Sequence, residues 1–511
     1  MKGKFNALQI GFNNLKNEFS YDPKITWHFF DAETIERVHM HEQIQLLKKD
    51  VKAFDLILVE APHSATIQSI LTAFITPYNT VVDHAVWSDV YETYDVYKNN
   101  FVYYFNYDDQ DERLNKLKAI SHSGQYGDKL EPKDITVNPL FKGKVHYFGN
   151  KYLVLEDDFG SDFKQVATWK FNAYYEKHRA TELWLEFVLE EDVAIEYAFR
   201  VTERTSGKLL YTFEVSGAAL NEPVYLPYRP DDAHISISLR AKGTGIIKIG
   251  AIHRRWSRLE FGEFFMGGKR FSDDKRDEFI YYFHPGDMKP PLNVYFSGYR
   301  TAEGFEGFFM MNRFKAPFLL IGDPRIEGGA FYLGTEQYEQ GIIDVIQTHL
   351  KLLNFSDKDL ILSGLSMGSF GALYYGAQLK PSAVIVGKPL VSIGTVAHNI
   401  RLLRPTDFGT SLDVLLTNSG DLDKQAIDQL NQKFWQVFEH EDVSDVTFGI
   451  SYMEDDDYDL YAYDELLKVL SRQHAKVMGR GIAGRHNDDS PTITNWFVNF
   501  YNMILQSKFG R

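Results

Sequence analysis

Two changes in hydrophobic period, near residues 140 and 256, constrain this chain more than any other feature, because helices and half-buried strands impose different spacings on apolar residues. Residues 1 to about 130 alternate short apolar runs with helix-period stretches. Residues 25–30 and 56–59 read as strands, with a helical segment over 33–51 between them. The stretch 121–138, with Gly124, Gly127 and Pro132, reads as a linker and sets a boundary near 135. From about 140 to 256 a period of two takes over, as in Leu183-Trp184-Leu185-Glu186-Phe187-Val188-Leu189, Ala194-Ile195-Glu196-Tyr197-Ala198-Phe199 and His234-Ile235-Ser236-Ile237-Ser238-Leu239-Arg240. Turn signals at Ser206-Gly207 and Arg229-Pro230-Asp231-Asp232 punctuate it, and the pattern predicts an antiparallel β-sandwich. Such sandwiches often hold carbohydrate. Trp169 and Trp184 would stack on a sugar if exposed, and are core residues otherwise.

After 257 the strand–helix alternation returns and persists. Residues 279–283, 292–296, 318–321, 360–365, 383–386, 446–452 and 476–482 read as strands, and 336–353, 370–379, 424–439 and 464–472 as helices. The expectation is an α/β chain in three parts: a small Rossmann-like α/β domain over 1–135, a β-sandwich, carbohydrate-binding-like in character, over 140–256, and a doubly wound, mostly parallel sheet over 257–511. A length of 511 residues fits this, since one core usually stops growing at ~250 to 300. In such a sheet the chemistry sits at the carboxyl ends of the strands.

Gly364-Leu365-Ser366-Met367-Gly368 falls at one of those ends, between an apolar strand and a run of small, helix-compatible residues. A nucleophile elbow needs this layout, because its serine sits in a strained turn where side chains two residues away would collide. The 257–511 region therefore reads as an α/β-hydrolase-type catalytic domain with Ser366 as nucleophile. A serine hydroxyl needs an imidazole to take its proton. Of the histidines after Ser366, His398, His440 and His474 fall in or at the ends of helical segments, whereas His486 lies in a loop after the strand 476–482. Ser490 and Pro491 then open the final helix, which places His486 before it. The orienting carboxylate is expected after the strand 446–452, where Glu454-Asp455-Asp456-Asp457 stand in a row. Asp456 is the first choice and Glu454 the second. The bland alternative is an acidic surface turn, without the spacing of a calcium loop. The oxyanion donors are expected at the backbone of Met367 and at Gly298 and Tyr299, just past the strand 292–296. Arg300 would bind an anionic group or a surface acid.

Composition excludes other chemistries. No cysteine is present, so thiolate catalysis, disulfides and cysteine-held metals are out. With 55 basic against 70 acidic residues the net charge is -15, which disfavours nucleic acid. No metal or organic cofactor is indicated, and the acyl donor is unspecified. No run of ~18 apolar residues and no signal-peptide core appear, so a soluble, cytoplasmic protein is expected, at most peripheral at a membrane translocon.

Ser363-Gly364-Leu365-Ser366-Met367-Gly368-Ser369-Phe370-Gly371, Tyr452-Met453-Glu454-Asp455-Asp456-Asp457-Tyr458-Asp459 and Gly484-Arg485-His486-Asn487 together resemble one known family. It is the second of the three accessory secretory proteins of the streptococcal and staphylococcal accessory Sec system. The resemblance runs nearly full length. It implies a cytosolic part in the export of serine-rich-repeat glycoprotein adhesins and O-acetylation of their N-acetylglucosamine. It also implies a triad on Ser366, on Glu454 or Asp456, and on His486. The implied partners are the two other accessory secretory proteins, the accessory Sec motor ATPase and the glycosylated preprotein. The competing readings are a plain carbohydrate esterase and a non-catalytic export scaffold.

Overall fold

The computed structural model describes residues 4–35, 40–403 and 409–511. It is a mixed α/β structure built on three sheets. The first has five parallel strands, with Phe5–Gly11 between Ile25–Asp31 and Leu56–Val59, followed by Thr80–Asp83 and Tyr103–Phe105. Strand Phe5–Gly11 escaped the sequence reading because Gln9 interrupts its apolar run. That glutamine is buried, and its amide meets Glu60, Leu15 and Trp27. The helix expected over 33–51 is observed as Met40–Asp50, and residues 36–39 of that expectation lie outside the described residues.

The second sheet has nine strands in one hydrogen-bonded network, dominated by Tyr152–Trp169, Thr181–Glu203 and Ala233–Trp256. The segments 183–189 and 194–199 are one strand. Its acidic stretch Glu190-Glu191-Asp192 bends instead of turning: Glu191 adopts φ 68°, and Gly245 and Gly243 stand opposite Glu191 and Val193. A Cβ at Gly243 would lie 2.2 Å from Asp192 O, so the bend is possible only against glycine. The stretch 121–138 is not a slack linker: Gly127–Leu130 pairs with Ile252–Arg255, and Ile135–Val137 with the strand Tyr152–Trp169. Trp169 and Trp184 are both buried, and the guanidiniums of Arg270 and Arg276 stack on Trp184 at 4.2 and 4.0 Å. Neither tryptophan is open to a sugar ring.

The third sheet has eight strands in the spatial order Gly268–Ser272, Glu278–His284, Phe318–Gly322, Leu292–Phe296, Leu360–Leu365, Ala383–Gly387, Thr447–Met453, Lys476–Ile482. Glu278–His284 runs antiparallel to both neighbours, and every later pairing is parallel. Central strands buried on both faces read as continuous apolar runs, which is why their limits were predictable. Helices Glu336–Leu353 and Met367–Leu379 cover one face, and Ser490–Ile504 packs Phe497, Phe500 and Tyr501 on the other. The edge strand Gly268–Ser272 carries too little apolar sequence to have been foreseen. Among the described residues no helix is long and apolar enough to cross a membrane.

Candidate active site

Ser366 joins the strand Leu360–Leu365 to the helix Met367–Leu379 with φ 53° and ψ -121°, a conformation that costs a non-glycine residue of order 1–3 kcal/mol. The neighbouring chain forces it. A Cβ at Gly364 would lie 2.1 Å from Gly368 O, and one at Gly368 would lie 2.1 Å from Phe296 O. Glycine at both positions lets the turn close against the adjacent strand, and the hydroxyl stands at the mouth of the sheet.

Asp456 and His486 arrive there from beyond the ends of the strands Thr447–Met453 and Lys476–Ile482. Ser366 Oγ lies 2.8 Å from His486 Nε2. On the far side of the ring, Nδ1 lies 2.8 Å from Asp456 Oδ2 and 3.0 Å from Oδ1. A carboxylate only accepts, so Nδ1 carries the proton and Nε2 offers its lone pair to the serine hydroxyl. The backbone N–H of His486 donates to Asp457 Oδ1 at 3.1 Å. The Tyr458 ring stacks on the imidazole at 4.1 Å, inclined by 4°. Asp456 also accepts the N–H of Tyr458 at 2.9 Å, so backbone donors hold it in place. His486 is 1% exposed and Asp456 4%, which strengthens their interaction by excluding water. Glu454 is exposed and flanks Gly481 instead of the ring.

The cavity beside Ser366 encloses about 580 Å³. Its lining includes the apolar Phe331, Leu365, Leu390, Val396, Ile400 and Ile493 together with the polar Glu306, Lys388, Asn487 and Thr494. Met367 is the first residue of its helix, so its N–H has no intrahelical acceptor. Gly298 and Tyr299 line the cavity as well, but Gly298 N–H donates to Glu306 Oε2 at 2.9 Å. Burial and the charge of Glu327 push the Tyr299 phenol up to about 12. Arg300 is a strut for its own loop, donating to Phe305 O at 3.0 Å. Lys388 donates to Ser490 Oγ at 3.1 Å, and burial lowers its pKa. Asp459 accepts the N–H groups of Val391 and Ser392, both at 2.8 Å, and burial raises its carboxyl to about 6.

Glu306, Lys388 and Tyr458 were invisible to motif reasoning. The one local sign of Glu306 is its place between Gly304 and Gly307. Among the described residues, His253, Glu278 and Glu303 are the group able to approach a common metal ion. Arg255 already pairs with Glu278, and with Glu303 at 2.6 Å, so both carboxylates are engaged by the protein's own cation.

Comparison with known proteins gives consistent results over the full length. The family described as the accessory Sec system GspB-transporter matches residues 5–511. The second accessory Sec system protein of Staphylococcus aureus is 52% identical over 513 aligned residues, covering 100% of this chain and 98% of the relative. Its counterpart in Streptococcus gordonii is 39% identical with both chains fully covered. A chain of the Glycosylation Associate Protein complex from Streptococcus agalactiae is 37% identical and superposes with a TM-score of 0.89, each chain covered completely.

Proposed function

This chain belongs to the accessory Sec system GspB-transporter family, and from that membership we propose that it is a serine-dependent O-acetyltransferase acting on N-acetylglucosamine of serine-rich-repeat adhesins during their export. The observation that carries the catalytic reading is the unbroken relay from Ser366 through His486 to Asp456, with both links at 2.8 Å, opening on a cavity. The order of the third sheet, with serine, acid and histidine after its fifth, seventh and eighth strands in sequence, supports an α/β-hydrolase-type unit over 257–511.

In the first half-reaction Ser366 Oγ attacks the carbonyl of an activated acetyl donor while His486 Nε2 takes its proton. The C–O⁻ of the tetrahedral intermediate is held by Met367 N–H and a second donor. Collapse breaks the bond to the leaving group, which receives the proton from His486. In the second, a sugar hydroxyl gives its proton to Nε2 and attacks the acetyl carbonyl, and the bond to Ser366 Oγ breaks as the oxygen regains its proton. The apolar lining residues suit an acetyl methyl group, and Glu306, Asn487 and Thr494 suit sugar hydroxyls.

The two sister accessory proteins are proposed as partners, since the relative in Streptococcus agalactiae was solved as a complex. The motor ATPase and the glycosylated preprotein follow from the family reading, as does a cytosolic site of action. The capped Gly298 donor favours one rival, an export scaffold whose triad is idle. The test is intact mass after brief incubation with an activated acetyl ester. An acetyl adduct on Ser366, absent from Ser366→Ala and His486→Ala and discharged by N-acetylglucosamine, is the expected result. A folded protein with neither adduct nor ester turnover, alone or with its sister proteins, supports the scaffold.

A further inference from the structure

Glu306 stands outside the serine–histidine–aspartate relay, yet it holds the group the relay needs at the moment of reaction. Its Oε2 accepts the Gly298 N–H at 2.9 Å, and both residues line the cavity with Ser366 and Met367. The oxygen of a tetrahedral intermediate carries a full negative charge. A donor serves it only when that donor is vacant and no anion stands beside it. A carboxylate bonded to Gly298 fails both conditions, so it must leave before acyl transfer runs at full rate.

The backbone around Glu306 is clamped. Glu303 is bonded by His253 and Arg255, both at 2.6 Å. Phe305 N–H donates to Gln125 Oε1 at 2.8 Å, and its carbonyl accepts Gln125 Nε2 at 2.7 Å. With its neighbours pinned, release of the donor falls to side-chain rotation of Glu306. The displaced carboxylate needs new donors. Water supplies them one at a time, whereas the adjacent hydroxyls of a sugar ring supply two in fixed geometry, and the Lys388 ammonium shares the cavity.

We propose that Glu306 is the specificity residue that favours transfer over hydrolysis: it caps the Gly298 oxyanion donor until an acceptor sugar draws its carboxylate away. This rests on Ser366 being the nucleophile. Both half-reactions are then slowed until the acceptor is bound, so an acetyl-enzyme formed from an activated ester resists water and is discharged once the sugar arrives.

Labelling of Ser366 by a fluorophosphonate tests this, because the phosphonyl oxygen occupies the same oxyanion site as the Ser366 Oγ–P bond forms and fluoride leaves. Initial rates are read by intact mass for the full chain and for Glu306→Ala, Glu306→Gln and Ser366→Ala, with and without N-acetylglucosamine. Glu306→Ala is expected to label roughly tenfold faster or more, since one oxyanion donor is worth about 10²–10³ in rate. The sugar should accelerate the unsubstituted protein and leave Glu306→Ala unchanged. Glu306→Gln, which keeps the bond to Gly298 without the charge, should fall between them, and it replaces Glu306→Ala if that variant fails to fold. Equal labelling of the unsubstituted protein and the Glu306 variants, or equal acceleration of both by the sugar, overturns the cap while leaving the nucleophile in place. No labelling of any Glu306 variant, with or without sugar, overturns the nucleophile and the cap together.

Discussion

Four consecutive acidic residues follow the strand Thr447–Met453, and the third of them, Asp456, presents both carboxylate oxygens to His486 Nδ1. Neither acid strength nor side-chain length selects it. Glu454 still belongs to the ladder, its N–H donating to Ile482 O at 2.9 Å, so its side chain leaves from the flank of the sheet toward Gly481. Asp456 lies past the last ladder bond, where the chain turns back over the carboxyl end of the sheet. Asp456→Asn is expected to slow acylation of Ser366 by about 10³–10⁴-fold, because an amide no longer enforces the tautomer that leaves Nε2 free to accept. Glu454→Gln should change it by no more than about twofold, as for other exposed substitutions. Burst kinetics with an activated ester measures both, and a larger loss in Glu454→Gln would reverse the assignment.

At the scale of the element, the elbow depends on what the neighbouring strand allows. Because a Cβ at Gly368 would meet Phe296 O at 2.1 Å, and that atom is backbone, the helix Met367–Leu379 would have to lift off the strand Leu292–Phe296 to admit a methyl group. Gly368→Ala is expected to cost about 1–3 kcal/mol in urea unfolding and to disable Ser366 acylation even where the variant remains folded. Full acylation in that variant would mean that the elbow relaxes without losing its geometry. The central strands of the third sheet were legible almost to the residue because they are apolar throughout, whereas the edge strand Gly268–Ser272 was not. In the second sheet the acidic stretch Glu190-Glu191-Asp192 imitates a turn, and its role as a bend inside a 23-residue strand depends on Gly243 and Gly245 more than fifty residues away.

Across the whole molecule, the second sheet reaches the catalytic loop through a buried charge cluster. His253 Nε2 meets Glu186 at 2.8 Å and its Nδ1 meets Glu303 at 2.6 Å, while Arg255 joins Glu303 to Glu278. Burial opposes the charge on His253, but the carboxylates of Glu303, Glu186 and Glu278 outweigh it and raise the pKa to about 9. A folded pKa above the unfolded value, ordinarily near 6.5, means that this stabilisation is complete below about pH 6.5 and is lost as pH rises through 9. Unfolding free energy from urea titrations should therefore fall between pH 6.5 and 9, and His253→Gln should remove that part of the slope. An unchanged slope in the variant would assign the dependence to other groups.

What the sequence by itself determined is whatever depends on local period and on a single turn: the alternation of layers, the strands of the third sheet, the elbow at Ser366 and the loop position of His486. Hydrophobic spacing and the steric demand for glycine act within a few residues, so they can be read along the chain. Only the tertiary structure decided which acid meets the imidazole, that Glu306 holds Gly298, that Lys388 shares the cavity and that Trp169 and Trp184 are core. Each of these is set by the distance between residues far apart in sequence, and that distance is fixed by how the sheets and their loops pack.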